Sequence, residues 1–165
     1  MTDIARLGMA FDPRYVTVKV KRLHPDAVVP QYQTDGAAGF DLHAVEDVII
    51  GPGVTTRVRT GLAFEIPRGY ALFIVPRSGV SLRTCLRIAN APGTVDADYR
   101  GEVSVIVDNT AYHPGPTYKI RAGDRIAQGI IQAVPRAEFE VVDALSETER
   151  GDGGFGSTGT GVGAE

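Results

Sequence analysis

The most constraining feature of this sequence is an alternation of apolar and polar residues with a period of two. In residues 15–21, Tyr-Val-Thr-Val-Lys-Val-Lys, the three valines share one face, and the threonine and lysines share the other. A period of two is typical of a β-strand with one buried face. Similar runs, separated by Gly and Pro, occupy residues 45–50, 54–59, 62–66, 70–75, 103–109, 126–133 and 138–142. We therefore predict an all-β chain, a jelly-roll-like β-barrel or sandwich.

Helices are predicted to be few and short in this chain. Residues 78–84 and 144–150 are each predicted to form at most a turn or two, too short to be stable without packing. A length of 165 residues suits one domain whose core needs no disulfide or structural metal. We predict a single jelly-roll domain over residues 1–149, with a variable N-terminal extension at 1–14, and a flexible Gly-rich tail at 150–165.

The composition argues against several classes of protein. The single cysteine, Cys85, cannot form an intramolecular disulfide, and the three histidines lack the spacing of a zinc site. A net charge of -3 argues against a nucleic-acid partner. No run is apolar enough for a signal peptide or a membrane span. We therefore expect neither nucleic acid nor membrane as partner. We also expect a cytoplasmic location, because a lone cysteine suits a reducing compartment.

The greatest density of reactive and polar residues lies at 90–102, Asn-Ala-Pro-Gly-Thr-Val-Asp-Ala-Asp-Tyr-Arg-Gly-Glu. A turn needs Pro-Gly and one Asp, but it does not need Asn90 before them or Asp96 and Tyr99 after them. The segment therefore predicts a place where a ligand is bound and reacts.

Three further motifs each allow two interpretations. Arg77, Ser78 and Gly79 follow an apolar run, and they form either an anion-binding loop or an ordinary turn with a surface arginine. Asp41 is either a structural hydrogen-bond acceptor or, where phosphates are bound, a residue that helps to hold Mg²⁺. Gln128 lies among apolar residues, and it is either a buried hydrogen-bonding residue or a phosphate contact.

The Gly-rich segment at 150–159, Arg-Gly-Asp-Gly-Gly-Phe-Gly-Ser-Thr-Gly, is close to a phosphate-loop pattern without matching it. Ser157 occupies the lysine position, and only seven residues follow Thr158, too few for the required helix. The composition is typical of a disordered tail. It also suits a flap in which Phe155 stacks on a ring while Arg150 and backbone N–H groups meet phosphate.

Taken in order, five motifs resemble those of the homotrimeric deoxyuridine triphosphatases, the dUTPases. They occupy residues 38–42, 76–79, 90–102, 123–128 and 150–159. The resemblance implies a jelly-roll homotrimer, with active sites shared between subunits, that uses Mg²⁺ to hydrolyse dUTP to dUMP and pyrophosphate. Such an enzyme limits uracil in DNA and supplies dUMP for thymidylate synthesis.

The resemblance also implies roles for single residues. Asp96 would be the general base for the water that attacks the α-phosphorus. Tyr99 would lie beneath the deoxyribose and exclude a 2′-hydroxyl. The side chain of Asn90 and the backbone of a hairpin between residues 90 and 99 would pair with the uracil edge. The implied base- and sugar-binding set is Asn90, Gly93, Thr94, Val95, Tyr99 and Phe155.

The phosphates and the metal would be bound by the other motifs. Asp41 would hold Mg²⁺ through water, and the tail of a neighbouring subunit would close the site as a lid. The implied phosphate-binding set is Arg77, Ser78, Gly79, Gln128, Arg150, Gly156, Ser157 and Thr158.

Two alternative functions fit the sequence less well. A dCTP deaminase-like enzyme on the same fold would share the Pro-Arg-Ser loop, but it would lack the pairing of Asp96 with Tyr99. A non-catalytic trimeric β interaction protein would have lost Asp96 or the tail, and the sequence retains both.

Overall fold

The computed structural model describes residues 15–154. The chain divides into two compact units, one ending at Pro135 and the other beginning at Arg136. Every strand and helix of the described residues belongs to the first unit. In chain order they are β1 Lys19–Arg22, β2 Phe40–His43, β3 Val48–Ile50, β4 Thr55–Glu65, β5 Tyr70–Val75, α1 Ser78–Arg83, β6 Leu86–Ile88, β7 Gly93–Val95, β8 Val103–Asn109, β9 Tyr118–Ile120 and β10 Arg125–Ala133.

The strands form two four-stranded antiparallel sheets and a small ribbon. The first sheet has the order β1-β4-β8-β6, the second has the order β2-β10-β5-β7, and β3 pairs with β9. The prediction of an all-β, jelly-roll-like chain with a short helix at 78–84 is confirmed.

The two four-stranded sheets share one apolar core. Strand β8 shows why, since Val103, Val105 and Val107 are buried, whereas Ser104 and Ile106 point away from the core. Side chains from the two sheets join in a single buried cluster. The alternation that predicted the strands is therefore the alternation that builds the core.

Two predicted strands, 54–59 and 62–66, are one strand, β4. The register of β4 against β8 shifts between Arg59 and Leu62, which marks a bulge. Gly61 lies in this bulge with a φ of +68°, a conformation that glycine adopts at little cost. From the sequence alone, glycine in a strand pattern is as easily taken for a break as for a bulge.

The predicted strand at 138–142 is absent from the structure, whereas residues 144–150, predicted to form at most a turn or two, contain only a turn at their end. Between residues 136 and 154 the structure contains turns and bends but no strand and no helix. Phe139 and Val141 are almost fully exposed. Alternation marks a segment able to lie in a sheet, but a strand also needs a neighbour for its hydrogen bonds. The predicted domain boundary at 149/150 stays a prediction.

Two further predicted strands are shorter in the structure. Residues 15–21 contribute only to β1, whose residues are all exposed, and residues 45–50 contribute only to β3. Among residues 15–154 no helix has the length and apolar character to cross a membrane.

Candidate active site

A cavity of about 260 Å³ gathers most of the predicted base- and sugar-binding residues. Its lining includes Asn90, Gly93, Thr94, Val95, Asp96 and Tyr99. Cavities that hold small ligands usually measure about 300–1,000 Å³. The volume therefore suits part of a nucleotide, such as its base and sugar, better than a whole nucleoside triphosphate.

The segment that carries these residues connects the two sheets. β6 pairs with β8 in the first sheet, whereas β7 pairs with β5 in the second. The prediction of a hairpin between residues 90 and 99 is therefore wrong, because the strand on either side of the turn finds its partner in a different sheet. A turn sequence indicates reversal of the chain, but it does not reveal which strands pair.

Gly93 allows Asn90 to lie close to the backbone of this segment. A Cβ atom at Gly93 would lie 3.3 Å from the Asn90 Nδ2 and 3.3 Å from the Ile74 Cβ. Both distances are shorter than ordinary van der Waals contact. The absence of a side chain at Gly93 thus lets the Asn90 amide sit against β7 at the cavity.

Asp96 and Tyr99 lie on an exposed turn at the end of β7. The Tyr99 N–H donates to the Asp96 carbonyl at 3.2 Å, and the Tyr99 hydroxyl donates to the Glu102 carbonyl at 3.2 Å. No residue within 15–154 donates a hydrogen bond to the Asp96 carboxylate. The carboxylate is therefore available to accept a hydrogen bond from water.

A second group of predicted residues meets on the other sheet. Gln128 of β10 is paired with Asp41 of β2 on one side and with Val75 of β5 on the other. Directly opposite residues of antiparallel strands project from the same face. Arg77 follows two residues after Val75, so the metal-holding and phosphate-binding candidates lie in one row.

Asp41 is the electrostatic centre of this row. It is only 4% exposed, with its Oδ1 2.9 Å from the Arg77 Nε and its Oδ2 3.4 Å from the Arg125 Nη1. The Arg77 contact has the distance of a hydrogen bond but not its alignment. We therefore treat it as an ion pair.

His43 borders the same cluster without adding a positive charge to it. Burial lowers the pKa of the His43 imidazole below its ordinary value, and the charges of Arg125 and Arg77 lower it further against the opposing effect of Asp41. A lowered pKa favours the neutral imidazole at neutral pH. Positive charge in this region therefore belongs to the arginines.

A larger cavity, of about 370 Å³, adjoins the arginines of this cluster. Its lining includes four cationic residues, Arg77, Arg87, Lys119 and Arg125, and one acid, Asp124. An excess of positive charge in a concave site concentrates anions such as phosphates. The sequence offered no signal for Arg87 and Lys119, because they lie on strands of two other sheets and line this cavity with Arg77 only in the folded chain.

Ser78 and Gly79 begin α1 and are both exposed. A Cβ atom at Gly79 would meet no atom within 4 Å. The structure therefore places the predicted phosphate loop at the surface, next to the Asp41 ion pairs.

The donor atoms fit a magnesium ion that arrives with a nucleotide. No group of three or more His, Cys, Asp and Glu side chains within 15–154 is arranged to hold a metal. Mg²⁺ commonly takes one or two carboxylates and fills its remaining positions with water and phosphate oxygens. Because guanidinium groups flank both oxygens of Asp41, contact through water suits this residue better than direct coordination.

The two groups of candidates do not share one cavity in a single chain. Asp41, Arg77 and Gln128 are absent from the lining of the 260 Å³ cavity. In the second unit, the exposed Arg150 donates from its Nε to the Gly153 carbonyl at 2.8 Å. The other tail candidates, Phe155, Gly156, Ser157 and Thr158, lie outside the described residues.

Three polar residues that line the smaller cavity were not predicted from the sequence. Arg57 lies on β4, Ser104 lies on β8, and Glu102 immediately precedes β8. Glu102 ends the dense segment at 90–102 and so had a signal in its position. Arg57 and Ser104 had none, since they reach the cavity only through the pairing of β4 with β8.

Comparisons with known proteins identify a family for this chain. The family model described as dUTPase matches residues 26–159. A deoxyuridine 5'-triphosphate nucleotidohydrolase of Nautilia profundicola is 51% identical over 142 residues, which cover 86% of this chain and 98% of that protein.

Two solved structures extend the comparison to the fold. A mutant of the dUTPase of Staphylococcus bacteriophage 80alpha, in a structure with dUpNHpp, has a TM-score of 0.83 and 30% identity, covering 87% of this chain and 99% of the other. A dUTPase of phage phi11 of S. aureus, whose structure shows the coordination of a structural Mg(II) ion, has a TM-score of 0.74 and 28% identity, covering 79% of this chain and 99% of the other.

Proposed function

This chain belongs to the dUTPase family, and we propose that it hydrolyses dUTP to dUMP and pyrophosphate. The observation that carries the proposal is the 260 Å³ cavity, which gathers Asn90, Asp96 and Tyr99. These three residues supply an amide for a base edge, a carboxylate for a water molecule and an aromatic ring for a sugar. The amide and the ring would select one nucleoside triphosphate, and the carboxylate would activate the water that hydrolyses it.

Base selection follows from hydrogen bonding within this cavity. Uracil presents an N3–H donor and an O4 acceptor, whereas cytosine presents the opposite pattern at both positions. The Asn90 amide and the backbone of Gly93, Thr94 and Val95 form the edge that pairs with uracil. A mismatched base would leave buried polar groups unpaired, which can cost about 10⁴-fold in discrimination.

Tyr99 selects the sugar, and Asp96 activates the water. The Tyr99 ring lies beneath the deoxyribose and leaves no space for a 2′-hydroxyl. Asp96 takes a proton from a water molecule as its oxygen attacks the α-phosphorus. The bond between the α-phosphorus and the bridging oxygen breaks, and pyrophosphate leaves without a covalent enzyme intermediate.

The row of Asp41, Gln128 and Arg77 on the second sheet, with the residues that follow Arg77, binds the phosphates and the metal. Arg77, with Ser78 and Gly79, meets the phosphate chain, and Gln128 meets the α-phosphate region. Asp41 would hold a Mg²⁺ ion through water. When bound, Mg²⁺ neutralises the negative charge that develops on the leaving pyrophosphate.

We further propose that the enzyme is a homotrimer whose active sites are shared between subunits. Asp41 and Arg77 lie outside the cavity that holds Asp96, so a single chain does not enclose the whole site. In the second unit, the exposed apolar side chains of Phe139, Val141 and Leu145 suit burial against another copy of the chain.

The tail of a neighbouring subunit closes each site in this proposal. Phe155 covers the uracil, and the phosphates are contacted by Arg150, Gly156, Ser157 and Thr158. A cytoplasmic location, and the expected absence of nucleic-acid and membrane partners, stay predictions from the sequence.

A pyrophosphate-release assay with Mg²⁺ and four nucleotides tests the function. We expect kcat/KM for dUTP to exceed the values for dTTP, dCTP and UTP by at least about 100-fold. Ammonia release from dCTP would instead indicate a deaminase. Pyrophosphate release from none of the four would favour a non-catalytic interaction protein.

A further inference from the structure

Glu102 fixes the end of the sugar-contacting turn to strand β4. The Arg59 Nε donates to both carboxylate oxygens of Glu102, at 2.9 Å to Oε2 and 3.2 Å to Oε1. The Gly61 N–H donates to the same Oε1 at 2.8 Å. Three hydrogen bonds to a charged group hold this side chain in a single position.

The bulge in β4 makes this arrangement possible. Between Arg59 and Leu62 the ladder to β8 loses its register, and Gly61 adopts a positive φ at this point. A bulged residue is released from regular pairing. The Gly61 N–H is therefore able to turn towards the Glu102 carboxylate rather than towards β8.

The other end of Glu102 contacts Tyr99. The Tyr99 hydroxyl donates to the Glu102 carbonyl at 3.2 Å. The Tyr99 ring also lies over Gly101, where an added Cβ atom would come within 3.0 Å of the ring Cε2 and still closer to the hydroxyl. Because Tyr99 is about half exposed, these contacts within the turn take the place of core packing in setting the ring position.

We propose that Arg59 and Glu102 are a positioning pair for Tyr99 and thereby contribute to the choice of deoxyribose over ribose. The inference rests on the proposed role of Tyr99 beneath the sugar. Arg59 is absent from the lining of the cavity, so it acts through Glu102. If the pair is lost, Val103 stays paired with Leu62 of β4, but the Glu102 side chain no longer has its arginine partner. The turn before Val103 is then held by fewer contacts, and the Tyr99 ring can move aside for a 2′-hydroxyl.

The test compares kcat/KM for dUTP with kcat/KM for UTP in single-site variants. We expect Arg59→Ala and Glu102→Gln to lower the dUTP-to-UTP ratio by about tenfold, since a misplacement of about 1 Å can change a rate by about 10²-fold. Arg59→Lys, which keeps the charge but loses the planar guanidinium group, should give an intermediate ratio. A ratio does not depend on the folded fraction of a preparation, so a destabilised variant still gives an answer.

The matched control is an ion pair on the same strand. Lys19 Nζ lies 2.7 Å from Glu65 Oε1, at the end of β4 beyond the bulge, and neither residue lines the cavity. Glu65→Gln should leave the ratio unchanged, even if the melting temperature falls. Wild-type selectivity in Arg59→Ala and Glu102→Gln would overturn the proposal and leave the pair a purely structural one.

A Tyr99→Ala variant separates this inference from the proposal on which it rests. We expect this variant to show the largest fall in the dUTP-to-UTP ratio. If Tyr99→Ala keeps wild-type selectivity, the sugar role of Tyr99 is wrong, and the positioning role fails with it. If only Tyr99→Ala lowers the ratio, the sugar role stands and the positioning role of Arg59 and Glu102 is wrong.

Discussion

Replacing Asp41 with asparagine would expose how strongly the phosphate-binding cations depend on one buried carboxylate. Asn has nearly the same size, so the change removes charge rather than volume. Asp41 is 4% exposed, and its oxygens lie 2.9 Å and 3.4 Å from two guanidinium groups. In Asp41→Asn these two cations would face each other without a counter-charge.

The expected loss of folding free energy depends on how exposed Arg77 and Arg125 are. Loss of one member of a fully buried ion pair costs about 3–5 kcal/mol. The side chains of Arg77 and Arg125 are 25% and 51% exposed, so water screens part of the charge, and we expect about 2–3 kcal/mol. For a chain of this length that corresponds to a fall in melting temperature of about 5–10 °C.

Thermal unfolding followed by circular dichroism measures this change. The protein concentration must be fixed, because an oligomer unfolds at a temperature that depends on concentration. Asp47→Asn is the control, since Asp47 lies 2.6 Å from Lys119 but its side chain is 54% exposed. A melting temperature in Asp41→Asn that falls no further than in Asp47→Asn would refute the reasoning.

Three other perturbations follow from the account. Asp96→Asn should lower kcat by at least about 10²-fold while calorimetric dUTP binding stays near wild type, and retained turnover would reject the general-base role. A chain ending at Glu149 should lose most turnover yet keep its oligomeric mass by light scattering, whereas full activity would reject the lid. Hydrogen bonding from Lys19 lowers the pKa of Glu65. The ionised Glu65 therefore stabilises the fold at pH values above the ordinary pKa of a glutamate, and this stabilisation is lost as the pH falls through the lowered pKa. Urea midpoints should therefore fall more steeply below about pH 4.5 in wild type than in Glu65→Gln, and parallel curves would contradict this.

Local patterns predicted the strands that lie inside a sheet. β5 and β8 coincide with the predicted ranges 70–75 and 103–109. β8 follows from its alternation of apolar and polar residues, and β5 follows from its nearly continuous apolar run. Residues 138–142 carry the same alternation but form no strand. Pairing depends on a partner that the pattern does not specify.

The candidate site, like the fold, was predicted from the sequence only in part. Asn90, Asp96 and Tyr99 were found together because they lie within ten residues of one another, and the structure places them in one cavity. The contact of Arg125 with Asp41 depends on the pairing of β10 with β2, which brings together residues far apart in the sequence. Short motifs therefore predicted which chemical groups are present, and sheet topology determined which residues lie next to one another.

The most direct test of the account is to mix two inactive variants, Asp96→Asn and Arg77→Ala. Each variant alone should show almost no dUTP hydrolysis. The two are mixed in equal amounts under conditions that allow subunits to exchange, and pyrophosphate release is then measured. If each site takes Asp96 from one chain and Arg77 from another, about a quarter of the sites contain both residues unchanged. About a quarter of wild-type activity should then return. Activity that stays at the level of the separate variants would contradict the shared site and would place both groups of residues in a single chain.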